Sequence, residues 1–114
     1  MVREFETSEP ETALRAYLYL IGCAAYEKDN KKIGRTVTRS HLAQELGLQH
    51  VDLLIPLDLL TEWCKVNDLP VLPSLVVEPT GTPLHRFGNA AEQERVWDYE
   101  WFAIFPPTIE ELLG

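Results

Sequence analysis

The chain is short of cations. Ten Lys and Arg stand against eighteen Asp and Glu in 114 residues, a net charge of −8 with a pI near 4.8. Duplex DNA is bound by neutralising its phosphates with Lys and Arg. A domain of this sign is repelled by nucleic acid at long range unless a local basic patch compensates. Cysteine is also scarce. Cys23 and Cys64 lie far apart, with no C-x-x-C and no paired histidines nearby, so both read as small buried apolar residues rather than as a disulfide or metal pair. No apolar run approaches the length of a bilayer span, and "MVREFETSEPE" contains no signal-peptide core. A soluble, cytoplasmic protein is expected. No membrane partner and no cofactor are implied.

What is present is an ordinary globular composition, 46% apolar and 25% charged, which argues against disorder. The length suits one domain, residues 1–114, with a single core. Ser8 and Glu11 form an S-x-x-E capping box with Pro10 in the first turn. Leu14, Tyr17, Leu18, Ile21 and Ala25 then keep one-face helical spacing, so a first helix is predicted over 10–27, ending in the polar turn "KDNKKIG". A short extended piece, "RTV", follows.

Thr38 is a good N-cap, Val37 can staple onto Leu42, and Gly47 is placed for a left-handed C-cap. A short helix, a sharp turn and a third helix over 51–67 give a helix-turn-helix. Pro56 is expected to kink or restart that third helix. Its apolar residues form two stripes, Leu53, Leu57, Leu60, Cys64 and Ile55, Leu59, Trp63, Val66. Asp58, Thr61, Glu62 and Lys65 are left as a narrow polar face. A helix apolar around most of its circumference must be covered on both sides.

Beyond "NDLPVLP" the pattern turns to β. "SLVV" and "LHRF" read as paired strands around "EPTGTP". "RVWDYEWFAIF" reads as an alternating strand, with Trp97, Tyr99 and Trp101 on one face and Asp98 and Glu100 on the other. Thr108 and Glu111 start a short last helix with a second capping box. The expected fold is α+β: a winged helix-turn-helix of three main helices with a C-terminal β-hairpin or small sheet.

Residues 34 to 81, with the frame "G-x-x-V-T-x-x-x-L-A-x-x-x-G", a helix, "P-x-x-P", a "V-V" strand and a glycine turn, resemble the winged-helix domain of the alkylguanine-DNA alkyltransferases and alkyltransferase-like proteins. The resemblance covers under half of the chain. It implies a DNA-binding scaffold, but the family's working residues are replaced. Ser74 stands where that family has its alkyl-accepting cysteine in "PCHRV". Arg39 stands at the base-flipping tyrosine, and Leu53 at the arginine that fills the vacated stack. Small bacterial or phage proteins are similar in the pattern "LP-x-L-P-x-L-V-V…T-G-x-P…V-x-x-Y-x-W".

The candidate sites point away from catalysis. His41, His50 and His85 have no metal-ligand spacing. Asp98 and Glu100 lack the further ligands that a divalent site needs. A groove-reading helix needs Arg, Lys, Asn or Gln toward the bases, whereas the third helix offers Asp52, Asp58, Thr61, Glu62 and Lys65. The reading is therefore a non-enzymatic, acidic protein-interaction module on a winged-helix scaffold. Its expected partner is a protein with a basic face, and a small inhibitor or immunity protein against a nucleic-acid-handling machine (anti-CRISPR, antirestriction or nuclease-inhibitor type) is the concrete version. Its partner-binding residues are expected to be Asp58, Glu62, Trp63, Asp98, Glu100 and Trp101. The alternative is a winged-helix transcriptional regulator contacting DNA through Lys28, Lys31, Lys32, Arg35, Arg39 and Arg86. A third reading is an alkyltransferase-like lesion sensor. Self-association through the third helix as a homodimer is compatible with each.

Overall fold

A computed structural model describes residues 2–48 and 53–113, and the side chains of these from residue 9 onward. His50, Val51 and Asp52 lie outside the described residues, and so does the Ser8 side chain of the expected first cap. The order is α1 (Val2–Ala24), β1 (Glu27–Lys28), β2 (Lys31–Lys32), β3 (Val37–Thr38), α2 (Arg39–Leu46), α3 (Leu54–Val66), β4 (Val76–Val77), α4 (Ala90–Asp98) and α5 (Ile109–Leu113). Single 3-10 turns at Leu72–Leu75 and Trp101–Ala103 connect them. The class is α+β, with five helices and two small two-stranded sheets among the described residues.

The first helix is longer than its caps suggest. It runs from Val2 with Pro10 inside it. The proline ring is fully buried, and that burial offsets part of the cost of its missing N–H. The helix ends at Ala24, three residues before the expected end. The polar turn that follows is a tight hairpin, with Glu27 opposite Lys32 and Lys28 opposite Lys31. Asp29 and Asn30 hold φ values of 55° and 65°, the two left-handed residues that a type I′ turn requires.

α2 is built as its sequence says. The Thr38 hydroxyl accepts from the His41 N–H at 3.2 Å, and Gly47 closes the helix at φ 73°. α3 begins at Leu54, which puts Pro56 in its first turn. An N–H there would have no partner within the helix, so the proline is accommodated at the start of α3. Leu53, Leu57, Leu60 and Cys64 are fully buried against α1 and the Leu72–Leu75 turn. Thr61, expected on the polar face, is buried too.

β3 and β4 pair in parallel, Val37 with Val76 and Thr38 with Val77. This pair ties the segment ahead of α2 to the segment beyond α3. The expected hairpin shrinks to one bridge, Val77 with Pro83, and "LHRF" is turn rather than strand. The largest correction follows. The loop "GNAAEQE" and the strand after it are replaced by α4, capped by Asn89, whose side chain accepts from the Glu92 N–H at 3.0 Å. Six good or fair helix formers behind a strong cap outweigh an alternation only three aromatics long. The final capping box stands as expected. Thr108 N–H donates to Glu111 Oε1 at 2.8 Å, and Glu111 N–H donates back to Thr108 Oγ1 at 3.1 Å.

Candidate functional site

The second stripe of α3 is covered only in part, and a groove follows from that. Leu59 and Trp63 are packed against the core, but Val66 is 74% exposed. α5 lies alongside, anchored by buried Leu112, with Leu113 left 63% exposed. Between them runs a groove of about 390 Å³ lined by Leu59, Trp63, Val66, Leu112 and Leu113, with Glu62, Asn67 and Glu111 at its rim. Glu62 and Glu111 make no ion pair among the described residues. The Trp63 ring meets Tyr17 edge-on at 5.7 Å. The Trp63 indole N–H is buried with no acceptor among the described residues.

Of the expected partner-binding residues, Glu62 and Trp63 thus share one groove. The others lie elsewhere. Asp58 is held by Arg86 in a bidentate pair, with Nε donating to Oδ1 at 2.8 Å. Asp98 lines a separate small cleft with Lys32, Gly34, Glu94 and Trp97. Glu100 is exposed beyond α4. Trp101 is a core residue. It is 2% exposed, packs against Tyr99 with ring centroids 4.8 Å apart and planes inclined by 60°, and donates its N–H to Val96 O at 2.8 Å. Expected to share one strand face, Trp97, Tyr99 and Trp101 instead span the end of a helix and the turn after it.

The basic candidates disperse in the same way. Arg35 lies over the Tyr26 ring at 4.8 Å, Arg39 pairs with Glu78 at 3.3 Å, and Arg86 is taken by Asp58. Lys32 shares its cleft with the carboxylates of Glu94 and Asp98. Lys28 and Lys31 remain, exposed at the hairpin tip.

The candidate nucleophiles are poorly placed for chemistry. Cys64 is fully buried and its thiol is pushed up to about 12 by burial. Burial also raises Cys23, against a lowering pull from Arg35. Tyr17 is pushed up to about 12, again chiefly by burial, with Cys64 and Tyr99 adding to it. Ser74 is 1% exposed, and its Oγ has no partner among the described residues. Leu53, at the position of the stack-filling arginine, is buried and cannot plug a duplex from there. No helix among the described residues is long and apolar enough to cross a membrane.

No family model, no curated protein and no solved structure matches the chain.

The groove was half legible in the sequence. The second stripe of α3 announces one wall and the need for a cover. Leu112, Leu113 and Glu111 were missed, because a five-residue helix carries too little periodicity to show which face it buries. Its capping box gave the helix but not its seat.

Proposed function

We propose that this protein is a non-enzymatic interaction module that binds a basic-faced protein through its α3–α5 end. The observation that carries this reading is the groove, where an apolar floor lies under carboxylates that form no ion pair among the described residues. Apolar area supplies most of the affinity in such a site, and the unpaired charges select partners of opposite sign. Nucleic-acid-handling machines have basic faces, so an inhibitor of such a machine remains the concrete form of the proposal. The buried, proton-holding thiols support a non-enzymatic role, because the thiolate is the reactive form.

The scaffold is proposed to be winged-helix-like. The order α1, β3, α2, α3, β4 and the pairing of β3 with β4 support it. Direct groove reading of DNA in the manner of a regulator is disfavoured by Asp58, Glu62 and the buried Thr61 on α3. A lesion-sensing role is disfavoured by buried Leu53 and by Arg39 bound to Glu78.

The test is a pull-down from native host lysate, with and without nuclease, using the intact chain beside Glu62→Lys and Lys28→Ala/Lys31→Ala variants. A stoichiometric protein that survives nuclease, is lost with Glu62→Lys and is kept with the lysine variant is expected. Recovery that disappears with nuclease, or with the lysine variant alone, would sink the reading and restore the DNA-binding regulator.

A further inference from the structure

We infer that the groove takes a short segment of the partner, apolar on one side and carrying Lys or Arg on the flanks, rather than a flat protein face; this rests on the interaction reading above. Size argues first. About 390 Å³ falls within the ~300–1,000 Å³ of ligand-sized pockets, whereas a protein face spreads over a broad shallow area. Lining argues second. Leu59, Trp63, Val66, Leu112 and Leu113 offer an apolar trough between two helices, the setting in which an amphipathic segment lays its apolar side chains.

Charge completes the assignment. The rim bears Glu62 and Glu111, and among the described residues the groove lining contains no Lys, Arg or His. Lys65, the cation nearest to Glu62 along α3, lines another cleft with His85 and Arg86. A flanking Lys or Arg of the occupant meets carboxylates that have no ion-pair partner among the described residues, while an acidic segment meets repulsion.

The experiment titrates the intact chain with the octapeptide acetyl-KLLRKLLK-amide and with its counterpart carrying glutamate at every cationic position. The indole N–H resonance of Trp63, assigned with Trp63→Phe, reports binding at the groove. Saturable one-to-one binding of the basic peptide, at least tenfold tighter than the acidic one, is expected. Val66→Asp should abolish it, and Phe105→Ser, at a residue outside the groove lining, should leave it unchanged. Val66 is exposed enough that its variant should unfold at the parent temperature, which thermal melting checks. Equal binding of both peptides overturns the inference. So does basic-peptide binding that ignores Val66→Asp. If neither peptide binds while the lysate partner still depends on Glu62, the segment proposal fails and the interaction module stands. Sedimentation of the chain alone covers the remaining occupant: self-association abolished by Val66→Asp would assign the groove to a second copy and overturn the proposal.

Discussion

The hairpin end and the groove end of this molecule are both charged surfaces, yet they set their charges in different surroundings. Residues 28–39 carry five cations and one carboxylate, so a region of net +4 leaves −12 for the rest of the chain. By charge density the hairpin is the more conspicuous of the two. The fold sets three of the five against groups of its own, with Arg35 on Tyr26, Arg39 on Glu78, and Lys32 beside Glu94 and Asp98. The groove carries fewer charges, but Glu62 and Glu111 form no ion pair among the described residues and stand beside apolar side chains left uncovered. Charge alone attracts weakly in water and is screened by salt. Charge next to an apolar trough gives both affinity and selectivity.

The largest effect expected concerns the wall behind the groove. Cys64 sits on the inner stripe of α3, and its thiol pKa is raised from 9.0 to about 12 by burial. A thiol that holds its proton more tightly in the folded state gives stability that is complete below pH 9 and lost as pH rises toward 12. By linkage the loss reaches on the order of 4 kcal/mol. Tyr17, raised from 10.0 to about 12, adds a loss of the same sign from pH 10 upward. Urea unfolding between pH 8 and 11 should show this decline, and Cys64→Ala should flatten its earlier part. A flat profile would mean that water reaches the inner stripe, and the groove would then lack a dry wall.

The hairpin has its own weak point. Gly34 sits at φ +70°, and a Cβ there would lie 2.3 Å from Trp97 Cδ1. Trp97 cannot easily yield, because its indole N–H donates to Arg35 O at 3.2 Å. Gly34→Ala should therefore cost about 3 kcal/mol, a fall of roughly 15 °C in Tm. A loss below about 1 kcal/mol would show that the hairpin swings free of α4, and its lysines would then be less committed to Glu94 and Asp98. Smaller still is the effect of Thr108→Ala, which removes the cap of α5. A loss of about 1 kcal/mol is expected, appearing as faster amide exchange over 109–113. The exchange of α2 should not change.

What the sequence made legible follows from how local each signal is. The Thr38 and Gly47 caps and the Thr108–Glu111 box are complete within a few residues, and all three were read correctly. The two stripes of α3 were legible because thirteen residues give several turns of periodicity. α4 was missed because Trp97, Tyr99 and Trp101 mimic alternation, while the deciding signal, Asn89 ahead of "AAEQER", is a polar stretch easily taken for loop. The hairpin was missed because its turn is Asp-Asn, where the usual signal has a glycine. The pairing of β3 with β4 joins residues 39 apart in the chain, and two-residue strands announce no partner. The dispersal of the basic set was invisible for a related reason: Asp58 with Arg86, and Arg39 with Glu78, are partners only once the chain is folded.

The smallest effect tests the hairpin most directly. Lys28 and Lys31 face each other across β1 and β2, and like charges directly opposite are mildly destabilising. Lys31→Glu turns that pair into one of opposite sign, so stability should rise by a few tenths of a kcal/mol. The gain should fade as salt rises, because both positions are exposed. Chemical unfolding at 20 mM and 500 mM salt, with each variant beside the parent, is sensitive enough. The same proteins titrated with a labelled duplex should show no steep salt-dependent binding to lose. If the parent does bind duplex at low salt, and Lys31→Glu weakens that binding while stabilising the fold, the repulsion between the two lysines is there to serve a phosphate. The comparison between the two ends would then invert, with the hairpin as the binding surface and the groove as ordinary exposed helix.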